Sequence, residues 1–276
     1  MHPPRCVPFA LEIKLKRTLD NLESKGIIER CDDPTDWVNS LLIVEKRDGS
    51  LRLCLDPKDL NLAIKREHFH IPTCEDILPK LVGMSVYTII DQKDGFYQIE
   101  LDDESKRMCT FNTPFGRYSM KRLPFGISSA PEVFQKKNSE LFSDIEGVHV
   151  IFDDMIIAAR NDEEHDKILH KVLTRARECG VKFNSKKIQF RVTQVKYLGH
   201  ILSSDGIRPD AEKVNAIINM PSPADRKELQ RFLGMITYLS KFVPDFSTHT
   251  DELRQLLKKD IAWHWTDIHE NAVQSS

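Results

Sequence analysis

The sequence predicts an α+β fold, in which a mixed body of helices and strands precedes an all-helical C-terminal unit, with the boundary near residue 205. Residues 148–159 form an apolar run, rich in Val and Ile, that two adjacent carboxylates interrupt, which predicts a β-hairpin with buried strands. After Pro209 the apolar residues recur at helical spacing only. The 276 residues are enough for two or three subdomains around a substantial core.

Apolar runs, turn residues and helix caps predict the elements of the mixed body. Leu15, Leu19 and Leu22 recur at helical spacing before Gly26, which can end that helix. Asp48-Gly49 predicts a hairpin turn. A buried strand is predicted at 41–44, further strands at 51–55, 85–90, 98–101 and 108–111, and a polar turn at 102–105. A capping box at Ser129–Glu132 opens a helix that runs to about Phe142, and Asn161 or Asp162 caps the next helix, which has Ile168, Val172 and Ala176 on its inner face. Short β segments are predicted at 181–183, 195–198 and 201–202.

The C-terminal unit is predicted to contain three helices. They cover residues 210–220, 225–242 and 248–258. The second is the most regular, because its apolar side chains fall on one face, namely Leu229, Phe232, Leu233, Ile236 and Leu239.

Composition excludes several classes of protein. No stretch approaches 18 uninterrupted apolar residues, so the sequence predicts no membrane span, and residues 1–5 lack the apolar core of a signal peptide. The six cysteines are scattered without a Cys-x-x-Cys pair, which argues against a zinc site or a disulfide framework. We therefore expect an intracellular protein that is not secreted.

The charge distribution says more than the net charge of −2. Between residues 166 and 200 there are nine Lys or Arg side chains, opposed only by Asp166 and Glu178. A basic segment directly after an acidic hairpin is compatible with phosphate binding, and it is equally compatible with a solvated helix face.

Three carboxylates point to a metal site. Asp153 and Asp154 interrupt the apolar hairpin, and Asp91 ends the apolar strand at 86–90. Two like charges next to buried strands are costly unless something neutralises them, and Mg²⁺ prefers carboxylate oxygens. The alternative is that Asp91 caps a turn and that the pair occupies a type I′ bend.

Several ordered motifs resemble those of retroelement reverse transcriptases. The run 91–99 resembles the family's first aspartate motif, and residues 111–135 are similar to the segment that follows it. Phe152-Asp153-Asp154 resembles the Tyr-x-Asp-Asp box, and residues 197–200 resemble the primer-grip region. The similarity extends from about Arg5 to His269 and is best for the Gypsy (Ty3) class of long-terminal-repeat retrotransposon polymerases.

The resemblance implies a right-hand polymerase fold and template-directed DNA synthesis on RNA or DNA. A primer 3′-hydroxyl would attack the α-phosphate of a deoxynucleotide, with two Mg²⁺ ions that Mn²⁺ can replace. The implied partners are a template, a primer, deoxynucleoside triphosphates and the ribonuclease H, integrase and protease regions of a parent polyprotein. The implied domains are fingers at 1–66 and 99–129, palm at 67–98 and 130–205, thumb at 206–260, and the start of a truncated connection at 261–276.

The resemblance also assigns roles to residues at the metal and nucleotide sites. Asp91 and Asp153 would bind both metals, Asp154 would support the first, and the carbonyl of Gln92 would support the second. Lys187 is a candidate proton donor to pyrophosphate. For the nucleotide, Lys46 and Arg52 would bind the triphosphate, Phe96 would exclude a 2′-hydroxyl, and Phe125 and Gly126 would line the pocket. From the residues alone, the favoured interpretation of Lys46 and Arg52 is two surface charges on a hairpin, which the resemblance reverses, and Phe96 could be a core residue.

The remaining assignments concern the primer and the template. Phe152 lies within the box, Tyr197, Leu198 and Gly199 would hold the primer end, and Gln230, Arg231 and Gly234 would track the duplex backbone. The box usually has Tyr where this chain has Ile151, a side chain that normally packs near the primer end. Because Ile lacks the hydroxyl, we expect reduced activity with an intact fold.

Two other functions compete with a reverse transcriptase. The first is a catalytically impaired, nucleic-acid-binding remnant, which Ile151 and the absence of a following ribonuclease H region favour. The second is an RNA-templated RNA polymerase, which Phe96 at the sugar-gate position disfavours. We expect a fragment of a polyprotein or a truncated genomic copy, located in the cytoplasm in a virus-like particle.

Overall fold

The computed structural model describes residues 5–46, 48–258 and 260–275. The chain divides into two compact units between Val192 and Thr193, except that residues Leu81–Gly83 belong to the second unit. No helix in the described part of the chain is long and apolar enough to cross a membrane. The assignment of fingers, palm, thumb and connection to residue ranges stays a prediction.

Fifteen labelled elements lie in the first unit. They are α1 (Phe9–Ser24), β1 (Ile28–Arg30), β2 (Ser40–Glu45), β3 (Leu51–Asp56), α2 (Lys58–Ala63), α3 (Cys74–Ile77), β4 (Val86–Asp91), α4 (Asp103–Met108), β5 (Thr110–Thr113), β6 (Gly116–Met120), α5 (Ala130–Phe142), β7 (Val148–Ile151), β8 (Asp154–Ala159), α6 (Asp162–Glu178) and β9 (Gln189–Val192). A 3₁₀ turn at Gly95–Gln98 follows β4.

Three antiparallel sheets organise this unit. One has the order β1-β6-β5, the second is the β2-β3 hairpin, and the third has the order β7-β8-β4-β9. The four-stranded sheet is covered by α5 and α6, and its two middle strands carry the most buried sequences, since five of the six residues of each are buried. Helix α5 spans two hydrophobic cores, because Ala130 and Phe134 pack in the core of α1 and β3, whereas Phe142 packs in the core under α6.

Helix faces and caps in the first unit follow the sequence pattern. Leu15, Leu19 and Leu22 are the buried residues of α1. Asn161 caps α6 by accepting a hydrogen bond from the Glu164 amide, which leaves Ile168, Val172 and Ala176 on the buried face. These predictions are confirmed.

The second unit combines a small sheet with helices. Its elements are β10 (Gln194–Tyr197), β11 (His200–Ser203), β12 (Gly206–Pro209), α7 (Ala211–Ile218), α8 (Arg226–Thr237), α9 (Phe246–Gln255) and α10 (Asp267–Ser275). The described residues after Pro209 contain helices and no strand, as predicted. The core of this unit is formed by Leu229, Phe232, Leu233 and Ile236 of α8 with Phe246, Leu253 and Leu256.

Two local predictions around residue 100 are wrong. Residues 102–105 begin α4, because Asp102 accepts a hydrogen bond from the Ser105 amide and acts as an N-cap rather than as part of a turn. Residues 98–101 form no strand beyond a single bridge between Glu100 and Arg122, since the 3₁₀ turn takes up Gln98.

Two further predictions are wrong in what they state about side chains. Ser129 precedes α5 without a side-chain cap, and Glu132 pairs with Arg66 instead of closing a capping box. The predicted buried strand at 41–44 is buried on one face only, because Leu42 and Val44 are exposed.

Candidate functional site

Three carboxylates meet at one edge of the four-stranded sheet. Asp91 is the last residue of β4 and lies opposite Asp154, the first residue of β8. The pairing of Ile151 with Asp154 leaves Phe152 and Asp153 as a two-residue turn. The tip of the hairpin is therefore Phe152-Asp153, and Asp154 is beside it, within the ladder.

Burial and like charges dominate the electrostatics of this edge. Oδ1 of Asp153 is buried and has no hydrogen-bond partner among the described residues. Burial, followed by the charges of Asp91 and Asp154, raises the pKa of Asp153 to about 6. Burial and Asp91 also raise the pKa of Asp154 above its ordinary value. The edge carries more negative charge than the protein neutralises, which suits a bound cation.

Lys187 and Asn184 partly neutralise Asp91. Nζ of Lys187 lies 2.8 Å from Oδ2 of Asp91, and Nδ2 of Asn184 donates to Oδ1 at 3.3 Å. The Asp91 contact raises the pKa of Lys187. The described residues form no group of three or more His, Cys, Asp or Glu side chains that is already arranged to hold a metal ion. The donor set nevertheless fits a hard divalent ion, because Asp153 offers a buried oxygen without a partner.

Because Gly95 has no side chain, the carboxylate of Asp153 can lie against its backbone. A Cβ atom at Gly95 would lie 2.0 Å from Oδ1 of Asp153 and 2.6 Å from the ring of Phe134. No side chain other than hydrogen fits there without displacing the carboxylate or the ring. Gly95 is a site residue that the sequence analysis did not single out, although it lies within the first aspartate motif.

Two buried amides of α5 hold the hairpin turn. Gln135 donates to the carbonyl of Val150 and accepts from the amide of Phe152, each at 2.8 Å. Asn138 donates to the carbonyl of Phe152 at 2.9 Å and accepts from Nε2 of Gln92 at 2.8 Å. Phe152 has a φ of 51°, in the left-handed region that disfavours a bulky residue, so these bonds stabilise a strained turn.

Replacing Asn138 by Leu is expected to destabilise the fold by about 2 kcal/mol, because the buried amide of Gln92 loses its partner. A Gln92→Leu/Asn138→Leu double variant should recover most of that stability, since both polar partners are removed together. Urea unfolding of the parent and of both variants checks this, and a double variant no more stable than Asn138→Leu would contradict it.

Arg52 and the two aromatic residues predicted for the nucleotide lie together next to the carboxylate edge, since Phe96 directly follows Gly95 and the charge of Arg52 acts on Asp153. The Phe96 and Phe125 rings stack with centroids 5.0 Å apart, and the guanidinium of Arg52 lies 5.0 Å from the Phe125 centroid. Phe96 also contacts Phe134 edge-on at 5.2 Å, so it has a packing role in addition to any role at the sugar. Lys46 directly follows β2 and is exposed.

Gly126 is required by the backbone of β3. Its φ is 105°, and a Cβ atom there would lie 1.9 Å from the carbonyl oxygen of Leu55. The amide of Leu55 donates to the carbonyl of Phe125 at 2.8 Å, so the 125–126 segment runs beside the strand that carries Arg52. The close approach predicted at Gly126 is therefore made to the protein's own strand.

The predicted primer-grip residues form a tight hairpin within the second unit. Leu198 and Gly199, both with positive φ, connect β10 to β11, and the hydroxyl of Tyr238 donates to the carbonyl of Gly199. A Cβ atom at Gly199 would lie 2.4 Å from Nζ of Lys213. Tyr197 is only 2% exposed, so its ring belongs to the core of this unit.

Helix α8 presents the predicted duplex-binding residues on its exposed face. Gln230, Arg231 and Gly234 are all exposed, on the side opposite the buried face of the helix. Nothing lies within 4 Å of a Cβ atom built at Gly234. This face is open to a partner.

The fold and the carboxylate edge define a class of protein, and the comparisons agree with it. Residues 44–202 match the family of reverse transcriptases, described as RNA-dependent DNA polymerases, and the chain belongs to this family. Among its relatives are the transposon Tf2-3 polyprotein of Schizosaccharomyces pombe, 32% identical over 85% of this chain and 18% of that protein, and the uncharacterized protein K02A2.6 of Caenorhabditis elegans, 36% identical over 90% of this chain and 20% of that protein. The predicted kinship with Gypsy-class retrotransposon polyproteins is confirmed. The chain spans about a fifth of the length of these relatives.

Solved structures confirm the right-hand polymerase fold. The foamy viral protease-reverse transcriptase in complex with dsDNA has a TM-score of 0.90 at 25% identity, over 99% of this chain and 58% of that chain. The same viral protein in complex with an RNA/DNA hybrid has a TM-score of 0.84 at 25% identity, over 99% of this chain and 38% of that chain.

Proposed function

We propose that this chain is a catalytically competent RNA-directed DNA polymerase that transfers deoxynucleotides to a primer 3′-hydroxyl by a two-metal mechanism. The observation that carries the proposal is the carboxylate edge, where Asp91 and Asp154 pair across two strands and the buried Oδ1 of Asp153 has no partner among the described residues. A buried carboxylate with a purely structural role would normally accept a hydrogen bond, as most buried polar groups do.

The carboxylates provide the metal ligands in this mechanism. Asp91 and Asp153 would hold both Mg²⁺ ions, Asp154 would support the first, and the backbone carbonyl of Gln92 would support the second. When bound, such a pair of ions activates the attacking hydroxyl and neutralises the triphosphate. The protein's own contribution is a rigid, partly dehydrated edge, in which α5 fixes the hairpin turn.

The nucleotide would be oriented by residues of the first unit. Arg52 offers a planar fork and Lys46 a point charge to the triphosphate. Phe96, held by Phe125 and Phe134, would stand against the sugar. Lys187 would exchange the carboxylate of Asp91 for a phosphate oxygen and donate a proton to the leaving pyrophosphate.

Nucleic acid would be bound by both units, each through its own surface. The foamy viral relatives were solved with dsDNA and with an RNA/DNA hybrid, which supports a template-primer duplex as the partner here. Leu198 and Gly199 would support the primer end, and the exposed face of α8 would follow the duplex backbone. We further propose that the chain works beside other regions of a polyprotein, as the relatives' lengths suggest.

Primer extension on an RNA template with Mg²⁺ tests the proposal. The parent chain should extend a DNA primer with deoxynucleotides, and Asp153→Asn should not. Mn²⁺ should replace Mg²⁺. Binding of the duplex without extension by the parent would overturn the proposal and identify the chain as an impaired remnant, the outcome that Ile151 would favour.

Replacing Phe96 by Val is expected to lower the preference for deoxynucleotides over ribonucleotides at least about tenfold, because the side chain that would exclude a 2′-hydroxyl becomes shorter. Phe96→Tyr keeps the ring and is the matched control, so its selectivity should equal that of the parent. The ratio of kcat/KM for the two nucleotide types measures the effect. Equal ratios for the parent and Phe96→Val would show that Phe96 only fills the core.

Replacing Lys187 by Met should lower both the Mg²⁺ concentration that extension requires and the maximal rate of extension. Asp91 loses the ammonium group that competes for Oδ2, so half-maximal extension should require less Mg²⁺. The maximal rate should fall at least about tenfold, because the pyrophosphate loses a charged hydrogen-bond donor. Lys186→Met, the exposed neighbour, is the control. An unchanged Mg²⁺ requirement would contradict the competition.

A further inference from the structure

A basic cleft is lined in part by residues 93–94, 180 and 182, which belong to the two segments that adjoin Asp91. It has a volume of about 490 Å³, and four cationic side chains line it, namely Lys25, Lys93, Arg122 and Lys182, with Asp94 as the one carboxylate among its described lining residues. Arg122 is 4.0 Å from Glu100. The other three cations make no ion pair and donate no side-chain hydrogen bond to any residue that the structure describes.

The two central lysines are held side by side. The amide of Lys93 donates to the carbonyl of Lys182 at 2.9 Å, one step beyond the bridge between Gln92 and Phe183. In an antiparallel pair, opposite residues project from the same face, and like charges in that position are destabilising. The pairing of these two lysines therefore does not stabilise the fold by itself, and an anion bound between the ammonium groups would offset their repulsion.

Gln98 makes the platform rigid. Its side-chain nitrogen donates to the carbonyls of Lys93 and Lys182, at 2.7 and 2.9 Å, and its side-chain oxygen accepts from the amide of Lys182 at 2.9 Å. Three hydrogen bonds from one side chain fix the two backbone segments that carry the lysines. The charges are thus presented from a preorganised support rather than from a loose loop.

The position of the cleft indicates which anion it would take. Lys93 is two residues after Asp91, a distance of roughly 7 Å along an extended chain. The other segment is tied to the same place, because the amide of Asn184 donates to the carbonyl of Asp91 at 2.8 Å. A polyphosphate leaving Lys187 and the carboxylate edge along either segment would next meet these two lysines.

We propose that this basic cleft binds inorganic pyrophosphate, as a station for the product between the carboxylate edge and solvent. Naming pyrophosphate as the natural anion rests on the proposed polymerase function, whereas the presence of a polyphosphate site does not. Polyphosphates share the chemistry of closely spaced anionic oxygens that ammonium groups bind.

Direct binding of pyrophosphate tests the site independently of catalysis. Calorimetry in EDTA, with no nucleotide or nucleic acid, should show the parent chain binding pyrophosphate, and Lys93→Gln/Lys182→Gln should raise the Kd at least about tenfold, because two charged contacts are lost. Lys65→Gln/Lys171→Gln removes the same charge outside the cleft and should leave the Kd within about twofold. An equal Kd for both double variants, or no binding by the parent at millimolar pyrophosphate, would overturn the proposal.

Two further arms identify the occupant. Arg52→Gln should leave the pyrophosphate Kd unchanged, and loss of binding in that variant would place the anion in the nucleotide's triphosphate site instead. A short DNA duplex should not displace pyrophosphate, and displacement together with loss of duplex affinity in the Lys93→Gln/Lys182→Gln variant would assign the cleft to nucleic-acid backbone. If the parent binds pyrophosphate but does not extend primers, the cleft stands and the polymerase function fails.

Discussion

Replacing Asp153 by Asn is expected to abolish primer extension and, at the same time, to stabilise the fold in the absence of metal. The carboxylate is held beside two others, and burial with their charges raises its pKa to about 6. An acid whose pKa is raised on folding opposes folding when it is ionised. Because the group is partly exposed, we expect the amide to add about 1 kcal/mol at pH 7.5 rather than the larger value that the pKa shift alone implies.

The pH dependence gives this prediction its sign. The ionised carboxylate costs stability at every pH above about 6, and the cost disappears as the pH falls towards the ordinary value of 3.8. The advantage of Asp153→Asn in EDTA should therefore be complete at pH 7.5 and absent near pH 4. Thermal unfolding at both pH values measures it. A variant less stable than the parent at pH 7.5 would show that the Asp153 carboxylate has a partner that stabilises it.

The loss of activity in the same variant should be at least about a thousandfold, since a neutral amide holds Mg²⁺ much less well than the carboxylate does. Primer extension at saturating Mg²⁺ measures it. A variant that is more stable and inactive would show that the three carboxylates are arranged for catalysis at the expense of stability. Residual activity within tenfold of the parent would remove Asp153 from the proposed mechanism.

Replacing Gly95 by Ala should destabilise the fold by about 1–3 kcal/mol and abolish activity, because the new methyl group would overlap Asp153 and Phe134. Gly234→Ala is the matched control. It makes the same change in helix α8, where nothing lies within 4 Å, and should stabilise the protein by up to about 1 kcal/mol through helix propensity. Urea unfolding of both variants measures the difference. A Gly95→Ala protein as stable and active as the parent would show that the turn at Gly95–Gln98 can shift without moving Asp153.

The carboxylate edge could be predicted from the sequence because its information is local. Asp91 ends one apolar strand and Asp154 begins another, and antiparallel pairing then brings them together. The same reasoning could not find Gln135 and Asn138. They lie on a helix with no unusual pattern, and their importance comes from bonds to a turn 14 to 17 residues away.

The contact between Lys187 and Asp91 could not be predicted from the sequence either. It joins residues 96 positions apart and depends on the bridge that brings residue 183 beside residue 92. The same limit explains the error at Glu132, whose helical position predicted a capping box, whereas its partner in the structure is Arg66, 66 residues earlier. Local patterns predicted the secondary-structure elements, whereas long-range ion pairs determine which partners these side chains have.

Helix α5 has a consequence for how the first unit unfolds. Its first half is packed into one hydrophobic core and its last turn into another, with the amides that hold the hairpin between them. Neither core can open without releasing one end of this helix. The two halves of the first unit should therefore lose structure together, and the backbone amides of α5 should be among the slowest in the chain to exchange with deuterium. A helix of 13 residues would thus make a sheet and its neighbouring subdomain behave as one cooperative block.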